Sequence, residues 1–314
     1  MDNANFDKAV SIMKKKSIET CTNLTFAELT TLGTGGKIKL TVYPDTLSKL
    51  IFVIRCLTKF NVDYVVLGKG SNTLASDEPY CGVVVSTLKL KKIKLRGCNV
   101  YAQAGASTLT LAKLLQDNGL SGGEFFACLP ASVGGAVITN SGCYNQDVKS
   151  VVTSVTALYK GKICKMSADK CNFGKRSSIF KNNGDYIILS VRFKFKKSSS
   201  EKVSALIADM RQKKAATQPL NYRSAGCVLY HDKVAVSRLI DEANLKGFQI
   251  GGAKISTKHA GFVVNVDKAR SKDIYLIIRR IKEELYRNYG IVAKTEVCLI
   301  NFTKDEQDDL FAGS

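Results

Sequence analysis

Tyr64 to Leu74 reads YVVLGKGSNTL, a run of strand character that passes directly into a loop of two glycines, a lysine, a serine and an asparagine. A strand that ends in glycines raises the question of a dinucleotide fold, and the residues answer it. GKGSNT lacks the third glycine of the G-x-G-x-x-G fingerprint. Two other glycine-rich pieces, TLGTGGK at 31–37 and CLPASVGGAVITNSG at 128–142, do not supply it, and GTGGK lacks the spacing and the Ser/Thr of a P-loop. A Rossmann architecture is excluded on these residues. Glycine nonetheless lets backbone approach a ligand without a Cβ in the way, and successive N–H groups form a concave anion site. One such loop reads as a tight turn; three in one half of the chain read as the cradle of a pyrophosphate-bearing ligand.

Around these loops the pattern is mostly short β-type runs: KLTVY, YVVLG, GVVVS, KIKL, NVYAQ, VVTSVTAL and YIILSVRFKF, between Lys39 and Lys197. One amphipathic helix interrupts them, STLTLAKLLQDNG, with Leu111, Leu114 and Leu115 on one face and Gly119 as its stop. KKSSS at 196–200 marks a boundary. After it come a helix with Val203, Leu206, Ile207 and Met210 at helical spacing, a second in AVSRLIDEANLKG, and a third in SKDIYLIIRRIKEELYRNYG. For the third, Ser271 is the expected N-cap, Ile274, Ile278, Ile281 and Leu285 face inward, and Gly290 ends it. The strands GFVVNV and AKTEVCLI accompany these helices, and the acidic tail NFTKDEQDDLFAGS is expected to fray. The fold class is α+β.

Composition narrows the function classes. With 314 residues and 45% apolar content the chain buries a full core, and its length suggests two domains. It contains no apolar run long enough to span a bilayer, and its N-terminal segment has no secretory h-region, so a cytoplasmic location is expected. Ten cysteines occur without a single C-x-x-C, which argues against zinc and for reduced, buried thiols. The net charge of +20 is spread over many lysine clusters. No RNP-like motif, zinc-finger spacing or basic heptad accompanies it, so nucleic acid is not the expected partner.

The motifs LGKGSNTL, GGEFFACLPASVGGAVITNSGCYNQDV, YRSAGCVL, LKGFQIGGAKISTKHAGFVVN and EVCLI, in that order, resemble those of the UDP-N-acetylenolpyruvoylglucosamine reductases. The resemblance spans residues 23 to 300. It implies an α+β, FAD-binding fold of the vanillyl-alcohol-oxidase (PCMH) type in two subdomains at 23–198, split near 86, and an α+β substrate domain at 199–300. An N-terminal extension at 1–22 and a tail at 301–314 flank them. The implied cofactor is noncovalent FAD, with NADPH as co-substrate and UDP-N-acetylglucosamine enolpyruvate as substrate, in bacterial peptidoglycan precursor synthesis. NADPH would reduce FAD, and hydride would then pass to C3 of the enolpyruvyl group. Gly68, Lys69, Gly70, Ser71 and Asn72 would take the pyrophosphate; Pro130, Ser132, Gly134, Gly135, Ala136 and Asn140 would line the flavin.

Hydride addition at C3 leaves negative charge over C2 and the carboxylate, so the chemistry requires charge stabilisation and a proton for C2. Arg176, in GKRSSIF, matches the family's Tyr-Arg-x-Ser motif, with Lys175 in the tyrosine place, and a guanidinium offers paired planar donors to a carboxylate. Cys227, in SAGCV, stands where most relatives carry the proton-donating serine and some carry cysteine. A thiol, with an ordinary pKa of about 8.5, is the stronger acid. Glu296, in KTEVCLI, matches the third catalytic residue. Departures occur at Tyr230, His231 and Asp232, where relatives commonly have Lys-Asn-Pro, and at Arg223, where a proline usually precedes SAG. His259, in STKHAGF, is expected to pack. The alternatives are another flavin oxidoreductase of this fold, which would lack the Arg176, Cys227 and Glu296 set, and a basic nucleic-acid-binding protein without activity.

Overall fold

The computed structural model describes residues 3–181 and 184–311. The chain forms two compact units interleaved in sequence. The first takes the chain up to Cys21, Leu40–Lys69 and Gly82–Lys214; the second takes Thr22–Lys39, Gly70–Cys81 and the chain from Ala215 onward. Sequence order alone suggests one cut near 198, whereas two early segments belong with the C-terminal part.

In the first unit a four-stranded sheet has the order Glu19–Cys21, Ile38–Tyr43, Tyr80–Ser86, Tyr64–Leu67. The last two strands run parallel, with Val65 opposite Val84, so a crossover must join them. The apolar stripe of the helix Leu47–Lys59 covers this sheet with Leu50, Val53, Ile54 and Leu57. Thr46 caps it, accepting the Lys49 N–H at 3.2 Å. This helix and the helix Asn3–Lys15 both escape the strand-dominated sequence reading. The N-terminal segment is part of the core, because Phe6, Ala9 and Met13 recur at helical spacing and pack with Leu50 and Val53.

A second sheet, wholly antiparallel, has the order Lys162–Ser167, Val152–Tyr159, Tyr186–Lys194, Asn99–Gln103, Ile93–Arg96. The expected helix forms at Thr108–Asp117 and packs Leu111 and Leu115 with Phe125, Phe126 and Phe193. Helix Ser200–Thr217 buries Val203, Ile207 and Met210, but Leu206 lies off that stripe and is 46% exposed.

The second unit holds an antiparallel sheet in the order Arg223–Cys227, Phe262–Asn265, Ala253–Ile255, Gln249–Ile250. Ile274, Ile278, Ile281 and Leu285 of the helix Ser271–Tyr289 enter its core, and Gly290 ends the helix at φ +63. Ser271 does not cap it. Its hydroxyl is buried without a partner among the described residues, and the Asp77 carboxylate instead accepts the N–H groups of Ser271 (3.0 Å) and Lys272 (3.2 Å). AKTEVCLI divides into Lys294–Thr295 and Cys298–Ile300, the latter parallel to Thr73–Ala75. The tail is ordered as helix Lys304–Phe311, with Leu310 fully buried and its carbonyl accepting Thr295 Oγ1 at 2.6 Å; residues 312–314 lie outside the described residues.

Candidate active site

The loop after Tyr64–Leu67 is shaped by two close approaches. A Cβ on Gly68 would stand 2.2 Å from Ser132 Oγ, and one on Gly70, whose φ is +62, would stand 2.2 Å from the Leu29 carbonyl oxygen. Glycine is obligatory at Gly70, where the clash is with backbone at positive φ, whereas at Gly68 a side chain would push the Ser132 hydroxyl aside. The Gly70 carbonyl turns to Thr31, accepting its N–H at 3.1 Å. The N–H groups of Gly68, Lys69, Gly70, Ser71 and Asn72 meet no acceptor among the described residues. Five successive unpartnered donors suit a pyrophosphate, whose oxygens accept only. The buried Thr34 hydroxyl in TLGTGG, 2% exposed, is likewise left without a partner among the described residues. These groups fit FAD.

In the 128–148 stretch, Ser132 caps the short helix Val133–Ile138 and accepts the Gly135 N–H at 3.4 Å. Gly134 donates to the Ala104 carbonyl at 2.8 Å, and its missing Cβ makes room for Ala104 itself, which a Cβ would meet at 3.0 Å. A Cβ on Gly135 meets only Ser132 Oγ, at 3.2 Å. Of the two glycines, Gly135 is the one that leaves open space. Pro130 is exposed and Ala136 is buried. Asn140, at φ +42, uses its carboxamide within the protein: Nδ2 donates to Asp147 Oδ2 (3.0 Å) and the Gly174 carbonyl (2.9 Å), and Oδ1 accepts the Lys149 N–H (2.8 Å). That side chain organises the stretch.

Arg176 belongs to the first unit. Gly174 and Ser177 exchange backbone hydrogen bonds at 3.0 and 3.3 Å, leaving Lys175 and Arg176 at the tip of a turn. Arg176 takes φ +53, a left-handed conformation that costs a residue with a side chain about 1–2 kcal/mol. Its Nη1 donates to the Gly142 carbonyl at 3.1 Å, and its own carbonyl accepts Lys181 Nζ at 3.1 Å. A strained, half-buried arginine is held here by its neighbours.

Cys227 and Glu296 belong to the second unit and are brought together there. The strand carrying Cys227 shifts register between Ser224 and Cys227, with Gly226 at φ +79. Such a bulge re-aims the next side chain. A Cβ on Gly261 would stand 3.1 Å from Cys227 Sγ and 3.2 Å from His259 Cε1, so thiol and imidazole both lie against that glycine. Burial pushes the His259 pKa down, and Nδ1 accepts the Gly261 N–H at 3.2 Å, which leaves the proton of the neutral ring on Nε2. Glu296 follows the Leu229↔Thr295 pair; its N–H donates to the Val228 carbonyl at 2.8 Å. Its carbonyl accepts Asn72 Nδ2 at 3.0 Å, and Cys298 N donates to the Asn72 carbonyl at 2.9 Å. The end of the glycine loop is therefore tied to the strand of the candidate acid.

The unusual residues have local duties. His231 Nδ1 accepts the N–H groups of Lys233 (3.2 Å) and Val234 (3.3 Å), and Asp232 pairs with Lys294 at 3.0 Å. The Arg223 guanidinium lies over Gly33, where a Cβ would stand 2.3 Å from Nη1.

Residues 38–167 match the family described as FAD binding domain. With the donor loop inside that match, the chain is an FAD-dependent oxidoreductase with the FAD-binding fold of the vanillyl-alcohol-oxidase type. Residues 218–300 match the family described as UDP-N-acetylenolpyruvoylglucosamine reductase, C-terminal domain. The chain is 36% identical over 265 residues to the UDP-N-acetylenolpyruvoylglucosamine reductase of Fervidobacterium nodosum, covering 84% of this chain and 86% of that one. It is 34% identical over 295 residues to the enzyme of Clostridium novyi, covering 93% and 95%. The crystal structure of the Thermus caldophilus reductase superposes with a TM-score of 0.77 at 29% identity, covering 90% of this chain and 98% of that one. The chain belongs to the UDP-N-acetylenolpyruvoylglucosamine reductase family.

Proposed function

We propose that this chain reduces UDP-N-acetylglucosamine enolpyruvate to UDP-N-acetylmuramate with NADPH, in peptidoglycan precursor synthesis. The observation that carries the reading is the tie through Asn72, which joins the donor loop to the strand of Glu296. FAD, when bound, supplies the two-electron chemistry that carries hydride from NADPH to the enolpyruvyl C3. Gly68 to Asn72 hold its pyrophosphate, and Ser132 and Gly135 lie at the same loop. Pro130, Gly134, Ala136 and Asn140 complete the stretch beside it, with Asn140 acting through the hydrogen bonds that fix that stretch.

Arg176 takes the substrate carboxylate, because charge that develops over C2 and the carboxylate needs fixed donors. Cys227 Sγ gives its proton to C2, and the resulting thiolate is reprotonated before the next turnover. Glu296, whose N–H donates to the carbonyl of Val228 next to Cys227, polarises the substrate or assists that proton transfer. Among the described residues no helix is long and apolar enough to cross a membrane.

The test separates the two half-reactions by rapid mixing. Cys227→Ala is expected to leave flavin reduction by NADPH near the wild-type rate and to slow reoxidation by the enolpyruvyl substrate about 10²- to 10⁴-fold. Cys227→Ser restores much of that loss. An alanine variant that reoxidises normally removes Cys227 from the mechanism. Wild-type flavin that NADPH reduces but the enolpyruvyl compound leaves reduced overturns the substrate.

A further inference from the structure

The segment that carries Glu296 has two faces of opposite character. From Ala293 to Cys298 the residues alternate: Ala293, Thr295 and Val297 are buried, while Lys294, Glu296 and Cys298 are only partly covered. Side chains along an extended chain point to opposite faces in turn, so Glu296 leaves the core where its two neighbours enter it. Ala293 and Val297 join the apolar core of the second unit. Thr295 is the polar member of that inward set, 3% exposed. A buried hydroxyl costs free energy unless it is hydrogen-bonded, and this one has a specific partner.

Thr295 Oγ1 donates to the Leu310 carbonyl at 2.6 Å, and Lys282 Nζ donates to the same oxygen. Leu310 stands in the last turn of the helix Lys304–Phe311, where carbonyls have no intrahelical donor. Two side chains from elsewhere in the unit meet that need. The tail helix is in turn fastened to the helix Ser271–Tyr289: the Tyr275 hydroxyl donates to Asp309 Oδ2 at 2.5 Å, and Lys272 pairs with Glu306 at 3.0 Å. An eight-residue helix is marginal alone, so its docking holds it together.

We propose that Thr295 is a positioning residue for Glu296: its hydrogen bond to the docked tail helix fixes the inward face of the segment and so aims the Glu296 carboxyl on the outward face. The inference rests on the proposed role of Glu296. Backbone contacts fix less. The Glu296 N–H to the Val228 carbonyl and the Asn72 Nδ2 to the Glu296 carbonyl set the path of the chain. Such bonds resist sliding, whereas a roll about the chain axis tilts both faces, and a side-chain bond on one face opposes it. A displacement of about 1 Å at a reacting group is enough to slow a reaction by up to about 10²-fold. Lys282 provides the contrast, because it bonds the same oxygen from a helix that carries none of Arg176, Cys227 and Glu296.

The FAD-loaded full chain is reduced with NADPH and mixed rapidly with the enolpyruvyl substrate. Thr295→Val, which keeps the shape and removes the hydroxyl, is expected to slow reoxidation about tenfold with flavin reduction unchanged. Thr295→Ser restores most of the rate. Thr295→Cys, a weaker donor of similar size, falls between them and carries the test if the valine variant fails to load FAD. Lys282→Met lowers the melting temperature but leaves reoxidation within about twofold of wild type. In a double-mutant cycle, Thr295→Val adds no slowing to Glu296→Gln, because no carboxylate is left to aim. The inference is overturned if the Thr295 variants lose stability yet reoxidise normally, if Lys282→Met slows reoxidation equally, or if the effects of Thr295→Val and Glu296→Gln multiply. A Glu296→Gln variant that reoxidises at the wild-type rate refutes the role of Glu296 itself; a slow Glu296→Gln beside a normal Thr295→Val refutes the positioning alone.

Discussion

At the scale of single residues, Arg176 carries the clearest signature. Its left-handed backbone, φ +53, is one that glycine adopts without cost, while its guanidinium is bonded to the Gly142 carbonyl. On the proposed role of Arg176, stability and function therefore pull in opposite directions. Arg176→Gly is expected to unfold at a denaturant midpoint no lower than the wild type, with flavin reduction by NADPH intact. Reoxidation by the enolpyruvyl substrate should fall by about 10²-fold or more. A large stability loss with a normal half-reaction would assign the residue to the fold alone. Its neighbour Asn140 contrasts with it, because three hydrogen bonds commit its carboxamide to the protein. The motif names both residues, but only the surroundings show that the Asn140 carboxamide is committed to holding the loop.

At the scale of elements, the start of the helix Ser271–Tyr289 is the instructive case. Ser271 is fully buried with an orphaned hydroxyl among the described residues, and the first N–H groups of the helix are served by Asp77. Ser271→Ala is expected to be neutral or stabilising by urea melt, because it removes an unsatisfied polar group. Asp77→Ala should cost about 1 kcal/mol. The reverse order would restore Ser271 as the cap. Asp273, in the same turn, gives a pH dependence. Burial disfavours its charge, but the Arg270 N–H at 2.9 Å and guanidinium at 3.1 Å outweigh that and hold its carboxyl below the ordinary value. A carboxyl lowered on folding contributes stability above its unfolded pKa of about 3.9 and loses it as pH falls through the folded value. Stability should therefore decline on acidification below about pH 4. Asp273→Asn should show a smaller loss between pH 6 and pH 3 than the wild type; equal losses would remove Asp273 from the acid transition.

At the scale of the molecule, the interleaving of the two units decides what can fold alone. Leu32 and Leu74, both fully buried, belong to the same core as Ile274, Ile278 and Leu285. Thr31 Oγ1 donates to the Ser224 carbonyl at 2.7 Å, and Asn265 Nδ2 donates to the Leu32 carbonyl at 3.0 Å. A fragment of residues 199–314 lacks these partners and the strand that pairs with Cys298–Ile300. It is expected to show no cooperative thermal transition by circular dichroism, whereas the full chain does. Cooperative melting of the fragment would mean that the early segments merely decorate a self-sufficient domain.

The sequence by itself determined the features governed by near neighbours. Alternation placed the strands, the spacing of Ile274, Ile278, Ile281 and Leu285 placed the long helix, and Gly290 ended it. The missing fingerprint glycine ruled out a dinucleotide fold, and the order of the motifs gave the family and named Arg176, Cys227 and Glu296. The helix Leu47–Lys59 is equally local, with Thr46 and a clear apolar stripe, although β-branched residues on either side favour strands. Tertiary structure alone decided that Asp77 caps a helix 194 residues away, that Thr73–Ala75 pairs with Cys298–Ile300, and that the tail docks through Leu310. The reason is range. Propensity and periodicity depend on a few residues to either side, whereas a remote cap, a parallel pair or a docked tail exists only after chain closure, and no local pattern encodes which distant group arrives.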